Sequence, residues 1–181
     1  MPPLYLVFAK PALKPLEVGT FGSFIGRLRN GLQADHMPSQ AAIRRYLESS
    51  AISFTEKQID EALKSAASIA IPAYVHQKFS ETYGWRNTKE KQALDAGDLR
   101  GAVDSNFDAI KPYLVEHGFA EFDLETVRSQ MHKVNEEQGG TNGCSKNQSV
   151  GNRSWSYLRR ASRRGYDSTR INKTVIRKQP K

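Results

Sequence analysis

Cysteine is nearly absent from this 181-residue chain, with Cys144 standing alone. An internal disulfide is therefore excluded, and so is a zinc site built on several thiolates. Any metal would rely on His, Asp, Glu and water. Cys144 sits in a Gly/Asn/Ser-rich stretch without an obvious partner, so it does not read as a nucleophile. Long apolar runs are missing too. Nothing approaches the roughly 18 consecutive apolar residues of a membrane span. Hydrophobic residues make up 38% of the chain and the mean hydropathy is -0.61, which implies a modest core. The opening MPPLYLVFAKPALKP lacks a basic residue ahead of its short apolar stretch and makes a poor secretory signal. There is no internal repeat. No Gly-rich phosphate loop or nucleotide fingerprint is present, which ranks transferase chemistry low.

Acidic residues are scarce at one end only. From Thr141 to Lys181 there are 11 Lys/Arg and one acid, Asp167, a net +10. The other 140 residues carry 16 basic and 18 acidic groups, a net −2. The whole positive excess of a chain with net charge +8 therefore lies in its tail. Trp155, Tyr157 and Tyr166 are interleaved there with Arg159, Arg160, Arg163 and Arg164. Aromatics among arginines can stack on bases and grip phosphates. The length suits one domain and a tail. We assign residues 1–138 to the domain and 139–181 to a Gly/Asn/Ser-rich linker with the basic tail.

The fold class expected from the elements is α+β and mostly helical. Leu4 to Ala9 reads as a strand, and Val18 to Leu28 as bent strands or a hairpin. Asn30-Gly31 is a tight-turn signal that puts Leu32 to His36 on a returning strand. Ser39 is placed to cap a helix with Ile43, Tyr46 and Leu47 on one face, ending at Ser49-Ser50. Thr55 and Gln58 form a capping box, with Phe54 and Ile59 as a hydrophobic staple. The helix they start extends by its apolar spacing through Ala66 and Ala67. Ile69-Ala70-Ile71 reads as a short buried strand. Pro72 suits the first turn of a helix running through His76 to about Thr82, with Gly84 as its stop and 85–87 as a loop. Further helices start near Asn87 or Thr88, at Asp98 (Leu99, Val103, Phe107 and Ile110 inward, Pro112 ending or kinking it) and at Asp123 (Leu124, Val127, Met131 and Val134 on one face).

The chemistry gathers at Asp35-His36. Hydrolysis of a phosphodiester needs a base for water, positive charge for the transition state, and a substrate held in line. A neutral histidine is a suitable base near pH 7. A carboxylate and a second imidazole are suitable ligands for a divalent ion. Neighbours in a strand point to opposite sides, so Asp35 and His36 must do different jobs. His76, arriving on a separate helix, can complete a metal site.

Asp35-His36-Met37-Pro38, followed by Ile71-Pro72 and a helix bearing Val75-His76, resembles the His-Me finger nucleases, also called HNH or ββα-metal nucleases. The runs ADHMPSQAAI and IAIPAYVHQKFSETYGWRN look like the versions found in bacterial polymorphic toxins. The resemblance covers about residues 33 to 87. It implies two strands and a helix around one metal ion, with Asp35 as metal ligand, His36 as general base and His76 as a further ligand. Many relatives carry another histidine four residues after the helical one, where this chain has Ser80. With two protein ligands, the expected ion is Mg²⁺ or Mn²⁺ ahead of Zn²⁺. The long His36–His76 interval implies two inserted helices. The family's middle Asn, which orients the base, has no identifiable counterpart.

Arg86 and Asn87, just after the helix, are candidate substrate contacts, as are the four tail arginines. His117 and His132 read as structural. The resemblance implies an endonuclease acting on DNA ahead of RNA, paired with an immunity protein. It further implies export without a cleaved signal and action in the target-cell cytoplasm. The competing reading is a non-catalytic nucleic-acid-binding protein that uses the basic tail.

Overall fold

The protein is described here by a computed structural model covering residues 10–138. Among these residues the fold is mixed and mostly helical, with seven α-helices on one three-stranded antiparallel sheet. The strands are β1 (Val18–Thr20), β2 (Leu32–His36) and β3 (Ala67–Pro72), and β3 lies between the other two. The 18–28 segment forms β1 and then the short helix α1 (Phe21–Phe24), not a hairpin. The Asn30-Gly31 turn is present, both residues having positive φ. It closes no hairpin, because β1 and β2 each pair with β3. The expected strand at Leu4–Ala9 lies outside the described residues, as do Cys144 and the tail.

Between β2 and β3 the chain makes a helical excursion, α2 (Gln40–Glu48) and α3 (Glu56–Ser65). Local signals set both starts. Ser39 Oγ accepts the Ala42 N–H at 3.2 Å, and Thr55 with Gln58 forms the full capping box. Ile43, Leu47 and Ile59 then make a core cluster of their own with Leu99. The second helix stops at Ser65. Ala66 is already extended and Ala67 begins β3, two residues earlier than the spacing suggested. Alanine fits a helix or a buried strand equally well, so its periodicity carried no boundary.

After β3, Pro72 turns the chain into α4 (Ala73–Phe79). This helix ends well short of Thr82. The Arg86 guanidinium reaches back to the carbonyls of Ser80 (2.8 Å), Gln77 (2.6 Å) and His76 (3.5 Å), satisfying the end of the helix. Residues Gly84–Arg86 form a 3₁₀ turn rather than a loop. Thr88 caps α5 (Lys89–Gly97), and Asp98 caps α6 (Leu99–Glu116). Pro112 lies inside α6 without ending it. It sits on the solvent side, where the missing hydrogen bond leaves a carbonyl that water can reach. The last helix, α7 (Glu121–Glu137), is flanked by Ala120 rather than capped by Asp123.

The register decides what the sheet presents to each side. Asp35 pairs with Ile69 and Gln33 with Ile71, so these four share one face, the one covered by α4, α6 and α7. There Ile69, Ile71, Val75, Phe107 and Leu124 form the main core. Leu32 and Ala70 face the other way, onto Leu13 and Phe24. Asn135 of α7 joins the ends of two strands. Its Nδ2 donates to the Met37 carbonyl and its Oδ1 accepts the Ala67 N–H, each at 3.0 Å.

Candidate active site

β2 is an edge strand ending in Asp35-His36, and α4 packs across its helix-covered face. His76 stands one turn into α4 and lies over two β2 side chains on that face. Its Nδ1 is 2.7 Å from Gln33 Oε1, and its Nε2 is 3.5 Å from Asp35 Oδ1. With Gln33 accepting, Nδ1 carries a proton, and Nε2 is turned toward the carboxylate. The Tyr83 ring meets the imidazole edge-on at 4.8 Å and restricts its rotation.

Asp35 is fully buried. Thr82 Oγ1 donates to its Oδ1 in a short hydrogen bond, and Thr82 is itself held by Ser80 Oγ at 2.8 Å. Oδ2 is buried and has no partner among the described residues. A carboxylate oxygen in that state is costly unless a cation or water meets it.

His36 faces the opposite side of β2, as strand alternation requires. Its ring packs on Phe21 at 4.2 Å, and its Nε2 lies 2.7 Å from the Gln40 amide nitrogen. The amide donates there, so Nε2 accepts and Nδ1 carries the proton, buried and without a partner among the described residues. Burial drives the His36 pKa down to about 4. The neighbouring Asp35 charge partly opposes this, and His76 adds to it. The imidazole is therefore neutral at pH 7.

Because β2 is at the edge of the sheet, its two faces open on a common space. A cavity of about 590 Å³ is lined by both His36 and His76, with Gln40, Thr82, Tyr83 and Asn87 around them. The structure thus brings Asp35 and His76 into contact and sets His36 on the same cavity. Asn87 lines it and lies 3.4 Å from Ser39 Oγ. Arg86 spends its guanidinium on the end of α4. Arg159, Arg160, Arg163 and Arg164 lie outside the described residues. His132 pairs with Asp104 at 2.8 Å on the far helices, and His117 caps α6 beside Tyr74.

Gln33, Gln40, Thr82 and Tyr83 did not stand out in the sequence. Gln33 carried the one usable signal, two residues before Asp35 and so on its face. Among the described residues no group of three or more His, Cys, Asp or Glu converges as a metal cage. Asp35 and His76 are the two such side chains that meet at the cavity, 3.5 Å apart.

One curated protein supplies the comparison. Over 111 residues, 60% of its length, the chain is 34% identical to Deoxyribonuclease CdiA of Dickeya dadantii (strain 3937). The chain spans only 3% of that protein. No family model and no solved structure matches it.

Proposed function

We propose that this chain is a metal-dependent endonuclease that hydrolyses DNA and acts as a toxin domain in bacterial competition. The observation that carries the reading is the meeting of Asp35 with His76 beside a cavity that His36 shares. A strand-end Asp-His pair and a histidine on the helix after the next strand are the parts of a His-Me finger. The likeness to a protein named a deoxyribonuclease supports DNA ahead of RNA, and catalysis ahead of binding alone.

The donor set fits a divalent ion that keeps several waters. Among the described residues Asp35 Oδ2 lacks a partner, and Oδ1 lies 3.5 Å from His76 Nε2. That is close to the roughly 3 Å between adjacent donors around an ion with bonds of about 2.1 Å. Two protein donors suit Mg²⁺ or Mn²⁺ better than a closed zinc site. When bound by Asp35 and His76, such an ion would offset charge on the phosphate and the leaving 3′ oxygen. Gln33 fixes the tautomer His76 needs for this, and Thr82 orients the carboxylate.

His36 is kept in its proton-accepting form by burial. A water hydrogen-bonded to Nε2 in place of the Gln40 amide gives its proton to that nitrogen as it attacks phosphorus. A pKa near 4 is low for a base at pH 7. The negative charge of an entering phosphate raises it toward the working range. Asn87 faces the substrate from the cavity wall. Arg86 serves by fixing the 80–82 segment that carries Thr82. The tail arginines add salt-dependent affinity for nucleic acid.

The test is plasmid cleavage by the purified chain with Mg²⁺, Mn²⁺, Zn²⁺ or EDTA, alongside His36→Ala and His76→Ala. Nicking that needs Mg²⁺ or Mn²⁺ and is lost in both variants is expected. Cleavage that survives EDTA or His36→Ala would overturn the mechanism. The toxin reading brings an immunity protein as partner, and harmless expression of the chain alone in a bacterial host would refute that part.

A further inference from the structure

A strand of nucleic acid needs more than the scissile phosphate neutralised. We infer that Arg44 forms a second phosphate subsite of the cavity, gripping the substrate strand one or two nucleotides from the bond that is cut. The inference rests on the nuclease reading above and names a contact that reading lacks. Among the described residues lining the cavity, Arg44 is the one Lys or Arg, and Asp60 lines it as well. The buried Asp35 carboxylate adds negative charge close by. The first 140 residues carry a net −2, so outside the basic tail a phosphate at the cavity has to be met by a local cation.

Position favours Arg44 as well. It follows Gln40 by four residues on α2 and so shares its face, about 6 Å further along the axis. Gln40 touches His36 Nε2, the proposed proton acceptor. Phosphates follow one another every 3.4 Å or so of axis on one strand, which sets the spacing of one or two nucleotides. The guanidinium fork is also suited to a bidentate phosphate contact.

Its present partners can be exchanged. Arg44 Nη1 meets Glu56 at 2.9 Å and Glu48 at 3.6 Å, and Nη2 meets Asp60 at 3.8 Å. These three carboxylates are more than half exposed. Exposed pairs of this kind contribute little, so a phosphate can displace them at small cost.

The experiment is binding of a fluorescent DNA duplex by the full chain in EDTA on a His36→Ala background, titrated over salt. Arg44→Ala should make the slope of log K against log salt shallower by about one and weaken low-salt binding about fivefold. Arg100→Ala is the charge-matched control, an exposed arginine paired with Glu136 away from the cavity. Arg44→Gln keeps a donor for Glu56 and covers the case that the alanine variant fails to fold. Loss confined to the Arg44 variants supports the subsite. Arg44 variants that match Arg100→Ala overturn it while leaving the nuclease reading intact. A parent chain that neither binds nor cuts DNA would remove both.

Discussion

Two Asp–His pairs sit among the described residues, and they differ in what surrounds them. His132 and Asp104 approach to 2.8 Å, nearer than His76 and Asp35 at 3.5 Å. The histidines are similarly shielded, at 14% and 12% side-chain exposure. Their carboxylates are not alike. Asp104 is 44% exposed and has Arg128 at 3.9 Å, so water and a cation already answer its charge. Asp35 is at 0%, with a second oxygen that nothing among the described residues meets, behind a His76 that lines the cavity. Proximity alone therefore marks neither pair as a site. The buried carboxylate, with one oxygen unmet among the described residues, is what makes the Asp35 pair the candidate.

The largest effect that would break this contrast concerns activity. His36→Ala should slow plasmid nicking by about 10²–10⁴-fold, the range of a lost general base. His132→Ala should stay within about twofold of the parent, because its pair is exposed and far from the cavity. Equal losses in the two variants would erase the distinction. Metal binding sharpens it next. Calorimetric titration with Mn²⁺ should give a signal that Asp35→Asn abolishes and Asp104→Asn leaves unchanged.

The third effect lies in pH. Folded His36 has a pKa near 4, below the ordinary 6.5 of the unfolded chain. Between these values the unfolded state holds a proton that the folded state refuses, so stability falls as pH drops through this window. The loss approaches roughly 3 kcal/mol near pH 4 in metal-free protein. Denaturant melts of the parent against His36→Gln should converge at acid pH. Parallel pH curves would sink this account. The smallest effect belongs to Gln33→Leu. It frees the His76 tautomer and should weaken Mn²⁺ binding about tenfold with the fold intact.

What the sequence made legible follows the reach of each signal. Ser39, Thr55 and Asp98 act on groups three residues away, and all three cap as their types suggest. The excursion of α2 and α3 between the two site strands was legible as an insertion. The sheet order was not, because the Asn30-Gly31 turn suggests a hairpin while β3 takes both partners. At the site, Asp35, His36 and His76 could be named from the family resemblance. Thr82 and Gln40 could not, since their value depends on atoms that folding brings to them. Arg86, a candidate substrate contact in the sequence, has its guanidinium on three carbonyls, an arrangement set by where α4 stops.

Asn135 gives the domain an order of completion. The end of β2 and the start of β3 are fastened to each other by a side chain near the far end of α7. A chain leaving a ribosome emits Asp35 and His76 long before residue 135. Until that amide arrives, the β2–β3 ladder and the bond from the Met37 N–H to the Ala67 carbonyl (3.3 Å) hold the strands by themselves, and the Met37 carbonyl and the Ala67 N–H await their partner. The proposed site residues are made first, and the amide that ties off the strand ends comes after them.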